Sequence, residues 1–167
     1  AATGPASRPT SHRPCGPGKK AGRRTAPAWD SSGTCTVATW RPMAQVFDAD
    51  GEPLTPEVEV SPPSPGTPES RPVVGLDAAG NFTVLWQSFG HTTGAGTPPG
   101  IWGQRFDPAG NPLGERFRIG IGTPGLGGLA MTMAPSGGFV ASWGERVAAG
   151  KTARVMRRFI RTGKPVG

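Results

Sequence analysis

Hydrophobic and polar residues alternate in short runs along this chain, and the clearest run, FTVLWQ, covers residues 82–87. In an extended strand successive side chains point to opposite faces, so Phe82, Val84 and Trp86 share one face. The other face is mixed, because it carries Leu85 between polar residues. Such a strand is expected where both faces meet other sheets. No long stretch shows helical periodicity without Gly or Pro, so the pattern predicts an all-β fold.

Turn-like tetrads separate these runs. Six of them have the form Asp-x-x-Gly or a weaker version of it, at residues 30–33, 48–51, 77–80, 107–110, 134–137 and 160–163. Asp at the first position accepts hydrogen bonds from the turn's own backbone, and Gly at the fourth adopts positive φ without a Cβ clash. We therefore expect type I turns, each closed by a left-handed glycine and each joining two strands.

The tetrads alternate between two kinds. Runs that follow the first kind end in Trp40, Trp86 and Trp143, whereas runs that precede the second kind end in Phe47, Phe106 and Phe159. Each repeat therefore reads as strand, turn, Trp strand, loop, Phe strand, turn and strand. Four short strands in roughly fifty residues match a β-propeller blade.

This repeat defines the predicted organisation of the chain. We expect about three four-stranded antiparallel units of β-propeller-blade type: a divergent repeat at 26–70, a second at 71–126, and a third at 127–167 that lacks its last strand. Residues 1–25 read as a disordered Pro/Gly/basic linker. Rings need about four to eight blades. The chain is therefore expected to be a partial propeller, meaning a fragment, an oligomerising piece, or a different packing of the same hairpins.

The second repeat carries a resemblance to a known family. Its segments FTVLWQS (82–88) and GIWGQRFDPAGNPLG (100–114) resemble the propeller-type repeat of long bacterial secreted and surface proteins, with the pattern VxW…GIxxQRFDxxGxPLG. Residues 71–119 match best, 127–167 match as a degenerate copy, and 26–60 match more loosely. The resemblance implies a repeat type and an extracellular or cell-surface location. It says almost nothing about activity, because such repeats serve many host proteins.

The net charge of +7 belongs to the two ends of the chain. Residues 1–29 and 151–167 each hold six basic residues and no acid, whereas 30–150 holds six basic residues and all eleven acids. The basic tail could meet phosphates or acidic lipid headgroups. The repeat register instead places its arginines on a strand, where a solvated face is the commoner role, so nucleic acid is disfavoured. No apolar window is long enough to span a membrane.

One turn has the oxygen density of a calcium loop. Asp48, Asp50 and Glu52 are its candidate ligands. The alternative is a solvated hairpin turn, which is favoured because the sister turns lack those ligands. We therefore expect no cofactor, with calcium as the weaker alternative.

Loops from successive units are the candidate binding surface, here at residues 88–100 and 144–152. His91, Thr92 and Thr93 lie in the first of these loops. Trp102 follows it and would stack on a sugar if exposed, although blade packing is the commoner role of such a side chain. Protein and carbohydrate ligands both stay open, as do a homo-oligomer and further repeats in a longer parent chain.

Catalytic chemistry is poorly represented. His12 and His91 form no metal-spaced pair, no GxSxG or HExxH motif is present, and Cys15 and Cys35 are as consistent with free thiols as with one disulfide bridge. The leading prediction is a non-enzymatic repeat segment that acts as scaffold or adhesion surface. The alternatives are an enzyme with loop-borne catalytic groups and a basic binder of anionic surfaces or nucleic acid.

Overall fold

A computed structural model describes residues 28–29, 35–38, 43–61, 69–90, 98–121, 128–148 and 150–167. The regular elements in these ranges are all β-strands, which confirms the all-β prediction for this part of the chain. In chain order they are β1 (Ala28–Trp29), β2 (Cys35–Ala38), β3 (Met43–Phe47), β4 (Val58–Glu59), β5 (Glu69–Leu76), β6 (Phe82–Ser88), β7 (Gly100–Phe106), β8 (Phe117–Gly120), β9 (Ala130–Met133), β10 (Phe139–Ala148) and β11 (Lys151–Phe159). The predicted linker at 1–25 and the tetrad at 30–33 lie outside the described residues.

The strands form three antiparallel meanders. Their orders are β1-β2-β3-β4 in the first sheet, β5-β6-β7-β8 in the second and β9-β10-β11 in the third. Within each sheet, strands that follow each other in the chain are also neighbours in the sheet, so no connection crosses over another strand. Among the described residues, the third sheet has three strands where the other two have four.

The tetrads form the expected turns wherever they are described. In all five, the fourth-position N–H donates to the first-position carbonyl at 2.8–3.1 Å. The closing glycines, Gly51, Gly80, Gly110, Gly137 and Gly163, have φ between 79° and 87°. These values confirm a type I turn followed by a left-handed residue, which suits the twist of the flanking strands.

The first and second sheets pack face to face. Val46 of β3 lies in one buried cluster with Val84 and Trp86 of β6 and Phe106 of β7. The rings of Phe82 and Phe106 stack within this cluster, with centroids 4.9 Å apart. Each large buried side chain contributes roughly 1.5–3 kcal/mol relative to exposure, so this interface is a principal source of stability.

The opposite face of the second sheet packs against the third. Leu85 and Ile101 meet Phe139, Trp143 and Phe159 in a second buried cluster. All seven residues of β6 are buried. The predicted division of β6 is confirmed, because Phe82, Val84 and Trp86 belong to the first cluster and Leu85 to the second.

Successive sheets use the same contacts. Phe139 and Phe159 pair across β10 and β11 as Phe82 and Phe106 pair across β6 and β7. Their rings also stack at a centroid distance of 4.9 Å. A backbone bond from Ala78 N–H to the Pro135 carbonyl, 3.0 Å long, joins the turns of the second and third sheets. The second and third sheets are therefore joined by a backbone bond as well as by side-chain packing.

Candidate functional site

The predicted ligand-binding loop is only partly described. His91, Thr92 and Thr93 lie outside the described residues. Trp102 of β7 is half-buried, pairs with Trp86 across the sheet, and packs against the first cluster. Its indole N–H donates to the Pro98 carbonyl at 2.9 Å. Part of the ring faces solvent, while its polar edge is engaged within the protein.

The prediction of a second loop at residues 144–152 is wrong for most of that range. β10 continues to Ala148 and β11 begins at Lys151. The pairs Arg146–Thr152 and Ala148–Lys151 extend the hairpin, with a register shift between them. Gly150 has a φ of 71° and closes the chain reversal. The hairpin is longer than its hydrophobic pattern suggests because the added pairs are held by backbone bonds and lie in solvent.

The candidate calcium turn has the same internal bonding as its sisters. Asp48 Oδ1 accepts the N–H groups of Asp50 and Glu52, both at 2.9 Å. Asp107 binds its own turn in this way. Asp48 therefore has a structural role that requires no metal, and calcium binding by Asp48, Asp50 and Glu52 stays a prediction. Among the described residues no three His, Cys, Asp or Glu side chains lie together as a metal site would need.

The third sheet carries a groove that the sequence analysis does not predict. It lies at the turn end of the sheet, on the face turned away from the second sheet, and has a volume of about 680 Å³. Val140 and Arg158 line it from β10 and β11, and Ile160, Arg161 and Val166 line it from the last turn and the strand-like segment after it. Ile160 and Val166 are exposed. The groove combines apolar walls with two arginines and has no acidic lining residue.

On the second sheet, the face that corresponds to the groove carries an arginine with an acid near it. Arg105 of β7 occupies the position of Arg158, one residue before the terminal Phe. Burial and the neighbouring Arg161 lower the pKa of Arg105, while Asp77 raises it. A side chain on Gly137 would meet Asp77 Oδ2 at 3.2 Å and Arg161 at 3.0 Å, so acid and base lie beside the same glycine.

In the third sheet this acid is missing. The residue equivalent to Asp77 is Ala134, the first residue of its tetrad. Arg158 therefore lines the groove without an equivalent of the carboxylate that lies near Arg105, whereas Arg161 lies beside Asp77 of the second sheet. Sequence reasoning noted the weaker tetrad but missed the groove. The signal that could have found it is Ala134 in place of the Asp77 of the second repeat, in a repeat whose Arg158 matches Arg105.

Two findings concern membrane-spanning helices and similarity to known proteins. Among the described residues no helix is long and apolar enough to cross a bilayer. No known family model matches this sequence, and no curated protein is significantly similar to it. The resemblance of residues 71–119 to propeller-type repeats therefore stays a prediction.

Proposed function

We propose that this chain is a non-enzymatic repeat segment that acts as scaffold and binding surface in a secreted or cell-surface bacterial protein. The observation that carries the scaffold part is the repeated face-to-face stacking of three meander sheets around the fully buried β6. Stacked repeats hold loops at fixed spacing on a rigid framework, which suits recognition more directly than catalysis.

We further propose that the sheets are blades of β-propeller type. Four-stranded antiparallel meanders, joined along the chain and packed through both faces, support this proposal. The sequence resemblance of the second repeat supports it independently. The location at the cell surface rests on that resemblance alone.

The proposed binding surface is the end of the sheets opposite the Asp-Gly turns. The β6–β7 and β10–β11 connections both emerge there, because they occupy the same place in their meanders. Trp102 is the aromatic side chain beside the first of these connections. A half-buried ring with one accessible part is a common platform for a sugar or a peptide side chain.

A glycan array probed with the full chain and with Trp102→Ala tests this surface. We expect binding that Trp102→Ala reduces at least about tenfold, since loss of an aromatic anchor costs about 2 kcal/mol or more. Leu54→Ala is the control, because Leu54 is exposed at the turn end instead. Glycan binding that Trp102→Ala leaves intact would contradict the assignment of Trp102, and an array without signal would contradict carbohydrate recognition.

Binding of a polyanion is the second candidate function. Six basic residues and no acid lie in 151–167, and all six are exposed: Lys151, Arg154, Arg157, Arg158, Arg161 and Lys164. Exposed cations attract phosphate or sulfate chains with a strong dependence on salt. We expect retention on heparin to fall steeply between low and physiological salt. The double variant Arg154→Gln with Arg157→Gln should be retained more weakly. Retention that ignores salt would contradict it.

A further inference from the structure

Trp102 of β7 has a charged neighbour on the next strand of its sheet. Its partner across the β7–β8 pair is Arg118. Residues directly opposite each other in an antiparallel pair project their side chains to the same face, with Cβ atoms about 4.5–5.5 Å apart. Trp102 is half-buried and Arg118 is exposed. An indole ring and a guanidinium group therefore lie side by side near the β6–β7 connection.

The backbone of residues 98–99 fixes both side chains. The Trp102 indole N–H donates to the Pro98 carbonyl, and Arg118 Nη2 donates to the carbonyl of Pro99. Two consecutive carbonyls thus hold the ring and the guanidinium in one arrangement. Because these side chains are already ordered, a ligand that binds both loses less affinity to the cost of ordering them.

Each side chain still offers a ligand one kind of contact. The bond to Pro98 uses the single N–H of the indole, so Trp102 offers its ring and not a donor. The bond to Pro99 uses one of the five N–H donors of Arg118. Gly100 leaves room for the guanidinium, since an added Cβ there would meet Arg118 Nε at 2.6 Å. The site therefore combines an apolar ring with a cation.

Packing within the repeat does not explain this pair. Counted back from the terminal Phe of each sheet, Met43 and Val155 take the place of Trp102. The equivalent pair in the first sheet is Met43–Glu59, so even the sign of the charge differs. The core tryptophans, by contrast, recur at one position in the second and third sheets. The framework packs without an aromatic–arginine pair in two of its three described sheets, which leaves recognition as the role that fits the pair.

The chemistry of the two side chains selects a class of sugar. The C–H face of a pyranose packs on an aromatic ring, and a guanidinium binds a carboxylate through two parallel hydrogen bonds. A hexuronic acid carries its carboxylate directly on the pyranose ring, so one sugar unit reaches both side chains across about 5 Å. A neutral sugar would leave Arg118 unused, and an isolated phosphate would leave Trp102 unused.

We propose that Trp102 and Arg118 form a subsite for an acidic sugar, a hexuronate whose ring packs on the indole and whose carboxylate binds the guanidinium. This inference rests on the proposed carbohydrate recognition at Trp102 and adds the charge of the ligand to it. The subsite belongs to the second sheet, which has four strands among the described residues. It is separate from the polyanion candidate, which uses the basic residues of 151–167.

Short oligosaccharides of galacturonate, mannuronate and glucuronate, each paired with its methyl ester, test the proposal. The ester keeps the ring and removes the charge, so each pair isolates the carboxylate. We expect the full chain to bind at least one acid form about three- to tenfold more tightly than its ester, and added salt to narrow this preference. Equal binding of every acid and its ester would overturn the proposal and leave carbohydrate recognition in place. Absence of binding by both forms, with no signal from neutral glycans, would overturn both.

Arg118→Gln separates binding of the carboxylate from support of the backbone at residues 98–99. Glutamine keeps an N–H donor for the Pro99 carbonyl and removes the charge. The variant should lose the preference for the acid and bind the ester within about twofold of the unaltered chain. Equal weakening of acid and ester would overturn the proposal, because Arg118 would then only position the segment that holds Trp102.

Arg157→Gln is the matched control, because it removes the same charge from an exposed residue of the third sheet. We expect this variant to keep the preference for the acid. Trp102→Ala should weaken acid and ester alike, by at least about tenfold, since both forms need the ring. A preference that Arg157→Gln abolishes would assign it to the overall charge of the chain and overturn the proposal. Acid binding that survives Trp102→Ala would overturn the shared subsite.

NMR of the labelled full chain locates the bound sugar. The acid form should shift the signals of the Trp102 indole N–H and of Arg118 Nε–H, whereas the ester should shift the indole signal alone. Shifts by the acid form that are confined to residues 151–167 would overturn the proposal.

Discussion

Gly163, in the last turn of the chain, lies directly against the ring of Phe117 in β8 of the preceding sheet. Gly110 has the equivalent position against Val58, where an added Cβ would approach the Val58 side chain to 2.6 Å. Both glycines have positive φ, 83° and 87°. Each of these turns therefore needs glycine twice, for its backbone conformation and for its contact with the sheet before it.

Gly163→Ala should be more destabilising than a left-handed glycine substitution alone. Positive φ costs a non-glycine residue about 1–3 kcal/mol, and the overlap with Phe117 adds about 1–3 kcal/mol. Gly114→Ala is the matched control, because Gly114 has a φ of 76° and open space around it. Urea unfolding of both variants measures the difference. Equal losses would show that the contact with Phe117 adds nothing.

The turn aspartates should differ in their contributions to stability. Asp77 is buried, binds its own turn and the Asn81 side chain, and lies near Arg105 and Arg161. Asp48 makes the same turn bonds in a more accessible place. We expect Asp48→Ala to lower the free energy of unfolding by about 1 kcal/mol and Asp77→Ala by about 2–4 kcal/mol. Denaturant unfolding of the pair tests this, and a larger loss for Asp48→Ala would contradict it.

Asp107 should give the stability a dependence on acid pH. Hydrogen bonds from the Asn111 side chain and backbone lower the pKa of Asp107. Because the folded pKa lies below the unfolded one, near 3.9, this stabilisation is complete above about pH 4 and is lost as pH falls through the folded pKa. The stability difference between the unaltered chain and Asp107→Asn should therefore shrink below pH 4. Carboxyl titration by NMR measures the folded pKa, and a value above 3.9 would contradict this account.

Two buried tryptophans should respond differently to replacement by phenylalanine. The Trp143 indole N–H donates to Glu145 Oε2 at 3.2 Å, whereas the buried Trp86 N–H has no acceptor among the described residues. Both variants lose ring volume, but Trp86→Phe also removes an unsatisfied donor. We expect Trp143→Phe to be more destabilising by about 1 kcal/mol. Unfolding curves in denaturant test the order, and the reverse order would contradict the hydrogen-bond argument.

Local chemistry explains how much of the fold the sequence predicts. A tetrad with Gly fourth meets its own φ requirement and closes with its own backbone bond, and Asp first adds side-chain bonds in three of the five, so each described turn is where the pattern places it. The two faces of β6 follow from alternation in the same way. Neither prediction depends on what lies far away in the sequence.

The features of the structure that the sequence does not predict depend on contacts between residues distant in the chain. The hairpin beyond Gly144 extends through backbone pairs that leave no hydrophobic pattern, which is why residues 144–152 were expected as a loop. The groove at Arg158 lies on a face that no sheet covers among the described residues, and Ala134 lines it where the sister turn has Asp77. Such features can be recognised only when one repeat is compared with another.

The bond from Ala78 N–H to the Pro135 carbonyl uses main-chain atoms alone. Most substitutions in either turn therefore leave its geometry unchanged. The turn at 134–137 forms although it has Ala134 where its sister turn has Asp77. Copies joined in this way can diverge in side chains while their spacing is inherited unchanged. Such a linkage allows surface residues to evolve freely on a framework whose dimensions stay constant.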